Sequence, residues 1–255
     1  MKTSLGLSAA VTMKNRFKMA ALPLPIVLAA IFLAAPQAKA DGLTFCGLNG
    51  GTNSVTITAQ APCVLTTGAT VSGTATAVVT PTSDTITLTN LVISDPTKQA
   101  ISGTYLIASN TYNFVGGGQG TLYVEYSGRS SSATWPPAKA SGSIGFDAFA
   151  STFNNNDAAA GPTTIPTIVN GKKVREFPIA KKENTKQGKY SAGKGDLDLY
   201  VTYALYPGET LTLDAKAIAA TPESPAWIYL LLGVIAICGA TLLRSRSIFG
   251  RGVTA

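Results

Sequence analysis

From Thr85 to Thr89 the chain reads Thr-Ile-Thr-Leu-Thr, and the same two-residue alternation returns at Leu197, Leu199, Val201 and Tyr203. Successive side chains of an extended chain point to opposite faces, so a period of two sends apolar residues to a core and hydroxyls to solvent. Such segments are satisfied only by pairing with one another and covering their apolar face with a second layer. The clearest are Ser54–Ala59, Ala69–Thr80, Thr85–Ser94, Gly120–Ser127, Ser141–Phe149, Asp196–Tyr206 and Glu209–Ala219, each bounded by Gly, Asn, Ser or Pro. Between residues 41 and 220 no stretch carries a capped helical period over three turns. The expectation is an all-β ectodomain over 41–220: a single β-sandwich, jelly-roll-like, without internal repeats. About 180 residues suffice for one sizeable core.

Two apolar runs without alternation flank this domain. Lys14, Arg16 and Lys18 precede a run from Met19 to Ala35, and the small-residue site Ala38-Lys39-Ala40 follows. That order describes a secretory signal peptide over 1–40, with a mature start at Asp41, and Met13 would begin a signal of ordinary length. At the other end, Ala226 to Leu243 holds eighteen residues without a charge. At 1.5 Å per residue this run spans about 27 Å, just enough for a hydrocarbon core of roughly 30 Å. Arg244, Arg246 and Arg251 behind it mark the cytoplasmic side, while Trp227 and Tyr229 fall at the outer boundary. The reading is a transmembrane helix over 226–243 that holds the domain outside the membrane.

The same C-terminal segment, Pro222-Glu223 followed by Trp227, the apolar run and the basic tail with Arg244 and Arg246, resembles the PEP-CTERM sorting signal. The resemblance covers residues 222–251 only, and Ser224 stands at the third motif position, where the family has proline. It implies recognition by an exosortase, a membrane transpeptidase-like processing enzyme, and removal of the span. The protein would then pass to the cell surface or to an extracellular, biofilm-type matrix.

A net charge of +7 suggests a nucleic-acid partner until the charges are placed. Residues 41–220 carry twelve basic and twelve acidic side chains, so the excess lies wholly in the two targeting segments. No basic footprint remains on the domain, and nucleic acid is excluded as a partner. Within the domain, residues 171–195 hold eight basic residues, among them Lys172, Lys173, Arg175, Lys181 and Lys182, against Glu176 and Glu183. They read either as a solvated loop or lysine-protected edge strand, or as a diffuse contact for an acidic exopolysaccharide. Lysine rather than bidentate arginine dominates, so such a contact would be of low specificity.

The chain contains no histidine. Histidine-dependent nucleophilic mechanisms, histidine metal sites and the commonest general base near neutral pH are therefore excluded. No cofactor motif takes their place. Cys46 and Cys63 are the only cysteines of the domain and, in an exported protein, read as a disulfide; Cys238 falls in the apolar run. Ser191-Ala192-Gly193-Lys194 has the serine-to-lysine spacing of penicillin-binding enzymes, but its flanking glycines oppose the helix start those enzymes need. Gly116-Gly117-Gly118-Gln119-Gly120 reads as a hairpin turn rather than a phosphate loop, because no helix follows. Ala150–Asn170 reads as a long loop. Asp196 and Asp198 share one strand face, which reads either as a solvent face opposite Leu197 and Leu199 or as a carboxylate pair of the glycosidase or calcium-ligand kind. Trp135, beside Pro136-Pro137, is either a loop anchor or a sugar platform. Three functions follow: a structural or adhesive surface protein, a carbohydrate-binding module, and a carboxylate-based hydrolase, the first being the expectation.

Overall fold

A computed structural model describes residues 42–50, 53–114, 117–133, 135 and 141–222. The predicted signal peptide, the sorting residues from Glu223 onward with Trp227, Arg244 and Arg246, and the predicted span 226–243 lie outside the described residues.

Every regular element among the described residues is a strand. In chain order they are β1 (Thr44–Phe45), β2 (Leu48–Asn49), β3 (Ser54–Ile57), β4 (Cys63–Val64), β5 (Thr70–Val79), β6 (Ser83–Ser94) and β7 (Ile101–Phe114). There follow β8 (Gly118–Ser132), β9 (Ser141–Ala150), β10 (Asp157–Pro166), β11 (Ile168–Val169), β12 (Lys172–Lys173), β13 (Glu176–Tyr190), β14 (Gly193–Leu205) and β15 (Glu209–Ala220). They form a six-stranded sheet in the order β10-β9-β14-β7-β1-β2 and a seven-stranded sheet in the order β13-β8-β15-β6-β5-β3, with β4 on β5. The short pair β11-β12 stands apart. All of the pairings are antiparallel, and the fold is the expected all-β sandwich.

The alternation does what the sequence demands of it. Leu197, Leu199, Val201 and Tyr203 of β14 and Ile86, Leu88, Leu91 and Ile93 of β6 are all buried in one core between the sheets. Each such side chain contributes about 1.5–3 kcal/mol on burial. Tyr126 of β8 meets Phe146 of β9 across the layers at 5.2 Å between ring centroids, and its hydroxyl lies 3.0 Å from the Ile144 carbonyl and 2.8 Å from Thr163 Oγ1. The two long edges are closed differently. At one rim Asn184 Nδ2 of β13 donates to the Ala159 carbonyl of β10 at 2.8 Å, and Asn155 Nδ2 donates to the Gln187 carbonyl at 3.1 Å. At the other, the Cys46–Cys63 disulfide ties the β1 end of one sheet to β4 of the other, with a Cα separation of 6.5 Å.

Two expectations are corrected. Residues 150–170 are not one long loop, because they carry β10 and β11. β10 is an edge strand, where proline is tolerated, and its register shifts between Ala160 and Thr163 to accommodate Gly161-Pro162. The glycine-rich segment is not a hairpin turn, since it crosses from β7 in one sheet to β8 in the other. Gly120 within it is needed for close approach: a Cβ there would lie 2.7 Å from the Phe153 ring and 2.9 Å from the Ala220 carbonyl oxygen. The lysine-rich segment is an edge strand, β13, whose irregularity between Ile179 and Lys182 and exposed lysines protect the sheet edge.

Candidate functional site

Three strand pairs of the seven-stranded sheet shift register along one transverse line. β13 shifts against β8 between Ile179 and Lys182, β15 against β6 between Leu213 and Ala215, and β5 against β6 between Ser72 and Thr74. Each bulge bends its strand and sharpens the local twist, so bulges in line fold a crease into the outer face. Two details hold it. Asn90 takes a positive φ of 50° on the bulged stretch of β6, and its backbone N–H donates to Asp214 Oδ1 at 2.9 Å. Gly128 lets β8 approach β15, because a Cβ there would sit 2.1 Å from the Thr212 carbonyl oxygen.

The crease encloses a depression of about 320 Å³ whose walls include Thr87, Thr89, Glu125, Ser127, Lys181, Asp214 and Lys216. Strand alternation aims these side chains outward, and the bulges bring them together. On one side Lys181 Nζ contacts Glu125 Oε2 at 2.5 Å and Glu183 Oε2 at 2.8 Å. The Tyr123 hydroxyl faces the same two carboxylates at 2.7 and 2.9 Å. The Lys181 ammonium, then Tyr123, hold the carboxyls of Glu125 and Glu183 below the usual range, and the two glutamates raise Lys181 in return. Tyr123 is pushed up to about 12, by desolvation first and then by the carboxylates it faces.

This arrangement sets the chemistry available. A general acid needs a carboxyl whose pKa is raised toward neutrality, whereas Glu125 and Glu183 are held ionised. The crease thus offers fixed acceptors, two ammonium donors and hydroxyls that both give and take.

The predicted basic contacts are split apart by the fold. Lys172 and Lys173 sit on β12, and the Arg175 guanidinium lies 4.5 Å over the Trp135 ring. Trp135 is 57% exposed, so it offers open area but has this cation over one face. Lys181 enters the crease, while Lys182 pairs in register with inward-facing Tyr126 and turns to the opposite side of β13. Asp196 and Asp198 lie on the outer face of β14 opposite buried Leu197 and Leu199, and Asp196 accepts from Thr111 Oγ1 at 2.9 Å. Among the described residues no three His, Cys, Asp or Glu side chains are grouped so as to hold a metal ion. Ser191 and Ala192 connect β13 to β14, and Gly193 and Lys194 open β14 rather than a helix; Pro222 is exposed at the end of the described residues. Sequence reading missed Glu125, Asp214, Thr87, Thr89 and Lys216, because only the register shifts, not any spacing, join them.

No family model matches the chain, and no curated protein does. Among solved structures it is similar to the C-terminal CBM6 of LamC, a marine laminarinase from Zobellia galactanivorans, at 13% identity and a TM-score of 0.20, over 64% of this chain and 98% of that one. At that score the likeness decides nothing about the site, whose meaning rests on its own geometry.

Proposed function

We propose that this chain is an exported, non-catalytic protein of the cell surface or extracellular matrix, adhesive in type, that holds a neutral polysaccharide across the crease. The observation that carries this reading is the line of bulges, which gathers acceptors, ammonium groups and hydroxyls around one depression. A sugar hydroxyl both donates and accepts, so it suits a lining of this mixed kind. The volume falls at the lower end of the range for ligand sites, about 300–1,000 Å³. A hydrolytic reading needs one raised and one ionised carboxyl facing each other, and the crease pairs two ionised ones. Export is supported by the order of the targeting segments and by the disulfide, which persists in an oxidising compartment. In this reading an exosortase-type enzyme acts at Pro222-Glu223, and the C-terminal helix is the membrane contact until then.

The test is affinity electrophoresis of the purified chain through neutral and acidic polysaccharides at two salt concentrations. Retention by a neutral polymer should survive about 0.5 M salt, where the Debye length is only a few ångströms. Lys216→Met and Thr87→Val should each weaken retention severalfold, each removing about 1 kcal/mol of hydrogen bonding. Retention by acidic polymers alone, abolished by salt, would transfer the function to the lysines of β13. Absence of retention by any polysaccharide defeats the reading.

A further inference from the structure

On the outer face of the six-stranded sheet, three apolar side chains from adjacent strands form a strip: Phe149 on β9, Tyr200 on β14 and Leu106 on β7, the last 43% exposed. The register places Tyr200 between Asp147 and Leu106, and Phe149 opposite Asp198. The strip is therefore edged by carboxylates that crowd one another. Burial and then Asp157 raise the Asp147 carboxyl above its ordinary range, and burial and Asp196 raise Asp198 against a hydrogen bond from Ser109. Among the described residues no lysine or arginine forms an ion pair with them.

Directly beside this face lies the rim where β13 meets β10 through Asn184. Lys182 and Lys186 flank Asn184 on that rim, both exposed and both without an ion pair among the described residues. They stand four residues apart, about 13 Å along the strand. Asp196 lies four residues from Tyr200, the register partner of Asp147, so the two carboxylates are separated by the same step of about 13 Å along the strand. An acidic apolar patch and a basic patch thus adjoin on one surface with matching spacing.

We propose that two copies of this chain pair through this surface about a two-fold axis, the Lys182–Lys186 rim of each lying on the Asp147–Asp196 strip of the other. A two-fold interface requires a self-complementary surface, and adjoining patches of opposite charge provide one. The apolar strip supplies the desolvated centre and the ion pairs supply register, which is the division of labour in protein interfaces. This pairing leaves the crease, on the other sheet, open.

Sedimentation velocity of the full chain in a mild detergent, at low salt and at about 0.5 M salt, tests the proposal. Wild type should dimerise at low salt and dissociate at high salt. Lys182→Glu with Lys186→Glu, and separately Asp147→Asn with Asp196→Asn, should each weaken the dimer at least tenfold. The Asn variant is nearly isosteric and keeps the fold. Mixing the first variant with an Asp147→Lys, Asp196→Lys chain should restore pairing, which neither shows alone. Polysaccharide retention should be unchanged in the Asn variant, separating this interface from the crease. A wild type monomeric at low salt overturns the proposal. So does a dimer that both charge variants leave intact, as one made through the apolar C-terminal run would be.

Discussion

Asp84 is fully buried near the start of β6, and its Oδ1 accepts a hydrogen bond from Asn110 Nδ2 of β7 at 2.8 Å. Asp84 Oδ2 and Asn110 Oδ1 have no partner, two acceptors left over on the same pair. A proton on Asp84 removes that conflict, since the carboxylic acid can donate where the carboxylate cannot. Burial pushes this carboxyl up to about 7 in spite of the Asn110 and Thr85 hydrogen bonds, and burial likewise pushes Glu209 up to about 7. Both folded-state values exceed the unfolded ones, so the native state binds the extra protons. Stability from these two groups is complete below about pH 4 and is lost as pH rises through about 7. For Asp84 the span corresponds to roughly 4 kcal/mol at most. Urea midpoints should accordingly be higher near pH 5 than at pH 8. Asp84→Asn, whose amide donates as the acid does, should raise the pH 8 midpoint and flatten the profile. An unchanged profile in that variant would assign the pH dependence elsewhere.

At the level of elements, the strands were legible wherever one face is apolar and the period is unbroken, as in β6, β14 and β15. β7 escaped because Ile107 interrupts its period and the buried Asn110 places a polar residue on the inner face. β10 escaped because alanine, glycine and two prolines are poor strand formers, and only its edge position admits them. The crease was not legible at all. Each bulge is a relation between two strands, and the residues it gathers come from β6, β8, β13 and β15, far apart in the chain. Its local trace is Gly128, an interruption in an otherwise alternating strand. Gly128→Ala should cost about 2–3 kcal/mol, because the new Cβ meets backbone atoms of β15 that cannot move alone. Gly161→Ala, with nothing within 4 Å of its Cβ, should stay within about 0.5 kcal/mol. Denaturant midpoints of the two variants make the comparison, and equal losses would mean that the crease tolerates the methyl group.

For the whole molecule, the disulfide matters because it joins the sheets where the paired strands are shortest, β1 and β2 having two residues each. It closes a sequence separation of 17, for which chain entropy predicts about 3 kcal/mol. Replacing Cys46 and Cys63 by serine should lower stability by about 2–4 kcal/mol, and wild type under reducing conditions should match the variant. A reduced wild type as stable as the oxidised one would mean that packing alone closes that rim. The opposite end of the chain leaves the fold through β15, which has β8 on one side and β6 on the other over nearly its whole length. Thr221 fastens the exit, its N–H donating to the Thr82 carbonyl at 2.7 Å. If the chain is anchored beyond Pro222, as proposed above, the pull is delivered to an interior strand. A load along that strand shears two hydrogen-bond ladders at once instead of peeling an edge strand bond by bond, so a domain anchored in this way would meet tension at an interior strand rather than at an edge.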